Sequence, residues 1–209
     1  LEIQSMVEAR SIAQVLHRNL ARQDGKGNGY FSDAAEGLLS GIIYFLRMEY
    51  PERCSIPHLV RLVCHYELDA VLPMMAEHPD IQPLMSDIRS CLKHGAGEQA
   101  SGTLGKLRSF LSKIDDRTTM YLFTKNDFSL DLNSSEKNGA VLAIGCSEDM
   151  QAVYAPLIAT VVSIAMNKMR NRGGREWFLL FEELSKYIIP GLNHILTTVR
   201  EGGGSIVAA

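Results

Sequence analysis

Two adjacent carboxylates, Glu182 and Glu183, close the apolar run Trp177–Phe181 in the stretch "WFLLFEELSKY". Desolvating one ionised carboxylate is costly and a neighbouring one adds repulsion, so such a pair usually faces a cation or shares a task. In parallel α/β sheets ligands sit beyond the carboxyl ends of the strands, where an acid pair at the end of this run would lie. In phosphate-handling motors the first acid of such a pair holds Mg²⁺, directly or through water, and the second polarises the attacking water. The local residues leave this open beside the plainer reading of a solvated strand end.

Arg200 stands seventeen residues past Glu183, near the end of the next helical stretch and before the glycines 202–204. Its guanidinium fork matches phosphate oxygens and could serve a neighbouring subunit's nucleotide; equally, a cation is simply favourable at a helix C-terminus. The three glycines are not a phosphate loop, because G-x-x-x-x-G-K-[ST] occurs nowhere in these residues. "DGKGNGYFSDAAE" places Asp24, Asn28 and Gly29 as a calcium loop would, but Lys26 takes a ligand position and Ala35 replaces the terminal Glu, which excludes it. The histidines 17, 58, 65, 78, 94 and 194 lack paired metal-ligand spacing, and Cys54, Cys64, Cys91 and Cys146 form no CxxC pair, so reduced thiols are expected. No nucleophile elbow supports triad hydrolysis.

The elements that must position these residues follow from periodicity. At 209 residues, 46% hydrophobic and 22% charged, the chain can bury a core. A net charge of −3 argues against an autonomous nucleic-acid binder. No apolar run near the roughly 18 residues of a membrane helix is read, and no signal peptide. Residues 1–22 predict an amphipathic helix, and "AAEGLLSGIIYFLRMEY" a second one, with Asp33 as N-cap and Pro51 as its stop. From there to about residue 113 the sequence reads as short helices with breaks at Pro57, Pro73, "HPD" and "HGAGEQASG". Beyond Asp116 the pattern changes: "MYLF" and "FSLDL" predict short strands, and "NGAVLAIGC" a strand buried on both faces. "MQAVYAPLIATVVSIAMNKMRNRGG" predicts a long helix, "WFLLFEEL" a buried strand, "PGLNHILTTVREGG" a helix and "SIVAA" a strand. Short links between strand, helix and strand imply parallel crossovers. Both ends of the chain fall inside such elements, as expected of a piece of a longer protein.

A helical block followed by "GAVLAIGC", "VYAPLIATVVSIAMNKM", "WFLLFEELSKY" and "IPGLNHILTTVREGGGSIVAA" resembles the type IV secretion coupling proteins, the conjugative ATPases of the TraD, TraG and TrwB kind. The likeness runs from about residue 8 to the end and is most specific from 139 onward. It implies an α/β fold, a partial RecA-like parallel sheet, with an inserted all-helical subdomain. Residues 1–26 and 116–209 would belong to the motor domain, and 27–115 to an all-α domain that recognises substrates or partners. Glu183 falls on the water-activating glutamate and Arg200 on the arginine offered across a subunit interface. Glu182 falls on the Mg²⁺-side acid of the Walker B motif, where the family usually has Asp.

The resemblance further implies ATP and Mg²⁺ as cofactors, ring formation and attachment to a bacterial inner membrane through other segments. The implied partners are secretion substrates, as relaxase–DNA complexes or effector proteins, other secretion components and DNA. Without a phosphate-gripping loop, these residues alone are not expected to turn over ATP. Two alternatives stand beside this reading: a non-catalytic helical interaction module on a RecA-like scaffold, and another DNA translocase of the FtsK or HerA kind.

Overall fold

Helical periodicity dominates the first 126 residues, and the computed structural model follows it. The structure describes residues 1–22, 30–66, 68–94, 97–134, 140–170 and 175–208. The rejected calcium-loop turn at 23–29, Gly95 and Ala96, the residues 135–139 and the glycine-rich stop at 171–174 lie outside the described residues. The chain forms two units that divide between Asn126 and Asp127.

The first unit is all helical among the described residues: α1 (Met6–Arg22), α2 (Tyr30–Glu49), α3 (Ile56–His65), α4 (Leu72–Glu77), α5 (Ser86–Lys93), α6 (Gly97–Leu111) and α7 (Arg117–Phe123). Apolar residues three and four apart make the core, with Ile12, Val15, Leu16 and Leu20 of α1 buried alongside Leu38, Leu39, Ile42 and Ile43 of α2. Ser55 caps α3 by accepting from the His58 amide. The C-terminal carbonyls are satisfied by cations: Arg108 donates to the Val63 carbonyl of α3 at 3.0 Å, and Lys113 to the Leu20 carbonyl of α1 at 2.9 Å. Pro57 and Pro73 sit within the first turns of α3 and α4, where the missing N–H costs nothing.

Three sequence expectations fail here or just beyond. Asp33 does not cap α2, which already begins at Tyr30 and holds Asp33 in its first turn. "MYLF" is helical, because Asp116 caps α7 by accepting from the Thr118 and Thr119 amides; its side chain opens a helix where the sequence pattern reads a break. "FSLDL" forms no strand, although Leu130 and Leu132 do pack on the core of the second unit.

The second unit contains α8 (Gln151–Met169), β1 (Trp177–Phe181), α9 (Leu192–Thr198) and β2 (Gly204–Ala208). The strands pair in parallel, with Trp177 opposite Gly204 and Phe181 opposite Ala208. Inward-facing Trp177, Leu179, Phe181 and Ile206 pack against Ala165, Met166 and Met169 of α8 and Ile195 of α9. The other face of β1 is open, with Phe178 and Leu180 each 60% exposed, so this strand is buried on one face rather than two. "NGAVLAIGC" is likewise not a buried strand where it is described: residues 140–146 pair with no neighbour among the described residues, and Val141 is 97% exposed. An apolar run becomes a strand only against an edge that takes its hydrogen bonds, and β1 and β2 pair only with each other among the described residues. The sequence reading also underrates α8, since Glu148–Met169 is long and apolar enough to cross a membrane. Half of that window is buried, as befits a helix that lies on a sheet.

Gly204 is required by packing. A Cβ there would fall 2.3 Å from Cζ2 of Trp177, whose indole occupies the space a side chain would take. Gly204→Ala should therefore expel the ring and destabilise the second unit by about 1–3 kcal/mol. Trp177 is the chain's single tryptophan, so its fluorescence reports this directly. A red-shifted emission and an earlier unfolding midpoint are expected; an unchanged spectrum and midpoint would contradict the packing account.

Candidate functional site

The carboxylates sit where β1 ends. Phe181 is the last strand residue and turns its ring into the core, after which Glu182 and Glu183 both emerge to solvent. Glu183 adopts φ 60 and ψ 46, the left-handed region, and is the one non-glycine residue with positive φ among those described. A residue with a Cβ is disfavoured there, and such outliers concentrate at functional sites. The backbone then enters a 3-10 turn, Leu184–Lys186, which brings Lys186 back onto Glu183 Oε2 as an ion pair.

That pairing sets the electrostatics. The hydrogen bond from Lys186 is the main cause that holds the Glu183 carboxyl below the usual carboxylate range; the lysine charge and a hydrogen bond to the Gln151 side chain act in the same direction. Glu183 is thus anchored to its own turn and to the first residue of α8. Glu182, by contrast, makes no hydrogen bond or ion pair among the described residues and points to solvent. One tethered acid and one free acid side by side is a division of labour that the residue types alone do not reveal.

Arg200 does not join them. It lies exposed in the 3-10 turn Val199–Gly202, four residues before β2 begins. The parallel register puts the start of β2 beside Trp177, so Arg200 leads into the sheet at the end opposite Glu182 and Glu183. Roughly 16 Å of strand separates the two ends, at about 3.3 Å per residue. Within one chain this arginine therefore does not reach the carboxylates.

Three residues absent from the sequence reading help build the site. Lys186 was legible in principle, three residues past Glu183. Gln151 meets Glu183 only through tertiary structure. Asn133 is buried, and its side-chain amide donates to the carbonyls of Met169 and Arg175, both at 3.0 Å, while its own carbonyl accepts from the Arg175 amide at 2.8 Å. One side chain thereby joins the end of α8 to the lead into β1 and holds the strand that carries the acids.

No group of three His, Cys, Asp or Glu that could hold a metal by itself occurs among the described residues. A lone carboxylate still suits Mg²⁺, which keeps several waters and is bound through one or two carboxylates plus substrate phosphates. Glu182 fits that role. The histidines are separate: His17, 4% exposed, is satisfied by Glu36 at 3.0 Å and Ser32 at 2.9 Å, and His65 by Asp115 at 2.5 Å. Burial pushes up the thiols of Cys54, Cys64 and Cys146, which disfavours their thiolates, and Cys64, also facing the Asp115 charge, reaches about 11.

With the site described, three comparisons bear on it. A family model described as the type IV secretion-system coupling protein DNA-binding domain matches residues 1–209. The search of curated proteins returned no match. Among solved structures, the bacterial conjugative coupling protein TrwBdeltaN70, in a trigonal form in complex with sulphate, superposes with a TM-score of 0.65 at 19% identity, over 99% of this chain and 47% of that one. The chain therefore spans about half the length of that structure and shares its fold over that span.

Two measurements test the local chemistry. Replacing Lys186 with Met should raise the Glu183 pKa toward the ordinary carboxylate value, seen by carboxyl ¹³C NMR titration; an unmoved titration would contradict the pairing. Cys64, with a thiol pKa near 11, should alkylate far more slowly at pH 8 than an unhindered thiol and accelerate as pH rises toward that value. Rapid labelling at pH 8, followed by peptide mass spectrometry, would contradict the assigned burial.

Proposed function

Because this chain belongs to the type IV secretion-system coupling protein DNA-binding domain family, we propose that it is the helical-domain and Walker B part of a RecA-like coupling ATPase. In this reading the complete protein assembles as a ring at the bacterial inner membrane. It uses ATP to deliver DNA, protein or both to a secretion or conjugation channel. The observation that carries the proposal is the junction at the end of β1, a free Glu182 beside a Glu183 held in a left-handed turn.

The two acids divide the work by their surroundings. Glu182, free of protein partners among the described residues, is the residue that would hold Mg²⁺; when bound, that ion would offset the negative charge of the nucleotide phosphates. Glu is one methylene longer than the Asp usual in the family, so its carboxylate must fold back or act through water to reach the same position. Glu183 is kept ionised by Lys186 and oriented by Gln151, which suits a group that positions and polarises the attacking water through an acceptor oxygen. Arg200 is remote from both acids in its own chain, so in this reading its role would be on a neighbouring subunit's nucleotide. The helical unit would then recognise substrates or partner proteins, and DNA contact would be local or need the assembled ring, given a net charge of −3.

In the complete protein, Glu183→Gln should lower Mg²⁺-dependent ATP turnover by about a hundredfold or more while leaving nucleotide binding intact. Turnover near that of the parent would remove the assignment. Arg200→Ala should be similarly impaired alone. Mixed rings of the two variants should recover part of the activity, because some interfaces pair an intact Glu183 with an intact Arg200. Failure of the mixture to recover any would contradict action across the interface.

A further inference from the structure

The first unit carries a cleft that none of the chemistry above uses. It is about 480 Å³, within the range of roughly 300–1,000 Å³ typical of ligand sites, and lies between α1 and α2. Arg10, Ser11 and Gln14 of α1 form one wall; Asp33 and Glu36 of α2 form the other, with Gly37 between them. Arg10, Ser11, Gln14 and Asp33 make no hydrogen bond or ion pair among the described residues, so the walls face the cleft with their polar groups uncommitted. Glu36 spends one carboxylate oxygen on His17 and leaves the other available.

Gly37 is not explained by the interior. A Cβ there would meet nothing closer than the Leu84 carbonyl at 4.0 Å, whereas one on Gly41 would press to 3.1 Å on Ile81 and 3.3 Å on Met75. Packing accounts for the second glycine and leaves the first as a cost to helix propensity with no structural return. What Gly37 does supply is depth in the cleft.

We infer that this cleft is a binding site for a protein segment that presents a basic side chain to Asp33 and Glu36 and an acidic group to Arg10. Charge decides the class of ligand. Two carboxylates against one arginine repel a phosphodiester backbone, which favours a polypeptide over nucleic acid. The opposed walls set direction, since a segment with Lys or Arg and a carboxylate pairs with both only one way round. Apolar Val7 and Leu84, at the margin, cover the aliphatic stems. The assignment rests on the reading of the helical unit as the part that recognises substrates or partner proteins, which it deepens, and is independent of the carboxylates of β1.

The test is fluorescence anisotropy with the 209-residue protein and pools of dye-labelled decapeptides on a Gly-Ser background. One pool carries an Arg and a Glu one to four residues apart; the others carry Arg only, Glu only or neither. The Arg-plus-Glu pool should bind at least about tenfold more tightly than the neutral pool. That preference should vanish in Gly37→Leu, which fills the cleft, and in Arg10→Glu, which reverses an exposed wall. If circular dichroism shows Gly37→Leu misfolded, Arg10→Glu decides alone. Equal binding of all pools, no binding of any, or a preference that survives Arg10→Glu would each overturn the site. A labelled single-stranded DNA whose binding is lost in Gly37→Leu and Arg10→Glu would overturn the choice of ligand. None of these readouts depends on ATP turnover, so failure here leaves the coupling-ATPase proposal standing.

Discussion

The parallel pairing of Trp177–Phe181 with Gly204–Ala208 is the constraint on which the candidate site depends. It holds only because Gly204 leaves room for the Trp177 indole, and because α8 and α9 cover the face on which that ring lies. Register in a sheet is all or nothing: a shift of one residue would turn Phe181 to solvent and send the backbone after it to the wrong side. With the register fixed, Glu182 and Glu183 leave one end of the sheet and Arg200 enters at the other. A single aromatic–glycine contact thus helps fix the end of the sheet at which the adjacent acids emerge and keeps the arginine at the other.

Beyond the strand, local backbone chemistry takes over. The left-handed conformation at Glu183 turns the chain sharply enough for Lys186 to reach back within one 3-10 turn. That ion pair, with Gln151, holds the Glu183 carboxyl below the usual carboxylate range and offsets its repulsion with the neighbouring acid. Asn133 supports the arrangement from behind by spanning the end of α8 and the approach to β1. The adjacency of two acids, puzzling in the sequence, becomes stable because only one of them needs a protein partner.

How far the sequence foretold this depends on whether the deciding interaction was local. Helices α1 to α6, α8 and α9 and both strands were legible, because periodicity, prolines and glycine punctuation are local signals, and the acid pair was legible as a strand end. α7 was misread because a capping Asp116 looks the same as a break until the amides of Thr118 and Thr119 are seen to donate to it. Residues 140–146 were misread because a run of apolar residues states a wish for burial and says nothing of whether an edge is present to satisfy it. Asn133, Gln151 and the need for Gly204 were out of reach altogether, since each acts on residues far along the chain that only the fold brings near.

The central claim is that Glu182 and Glu183 serve metal and water respectively. A cryo-EM structure of the complete protein with Mg²⁺ and a non-hydrolysable ATP analogue tests it most directly. The account predicts the Glu182 carboxylate bound to the ion at about 2.0–2.1 Å or through one water. It further predicts Glu183 facing the water in line with the terminal phosphate, and Arg200 of an adjacent subunit on that phosphate. Nucleotide bound with both carboxylates turned to bulk solvent, and the ion held by other residues, would contradict it.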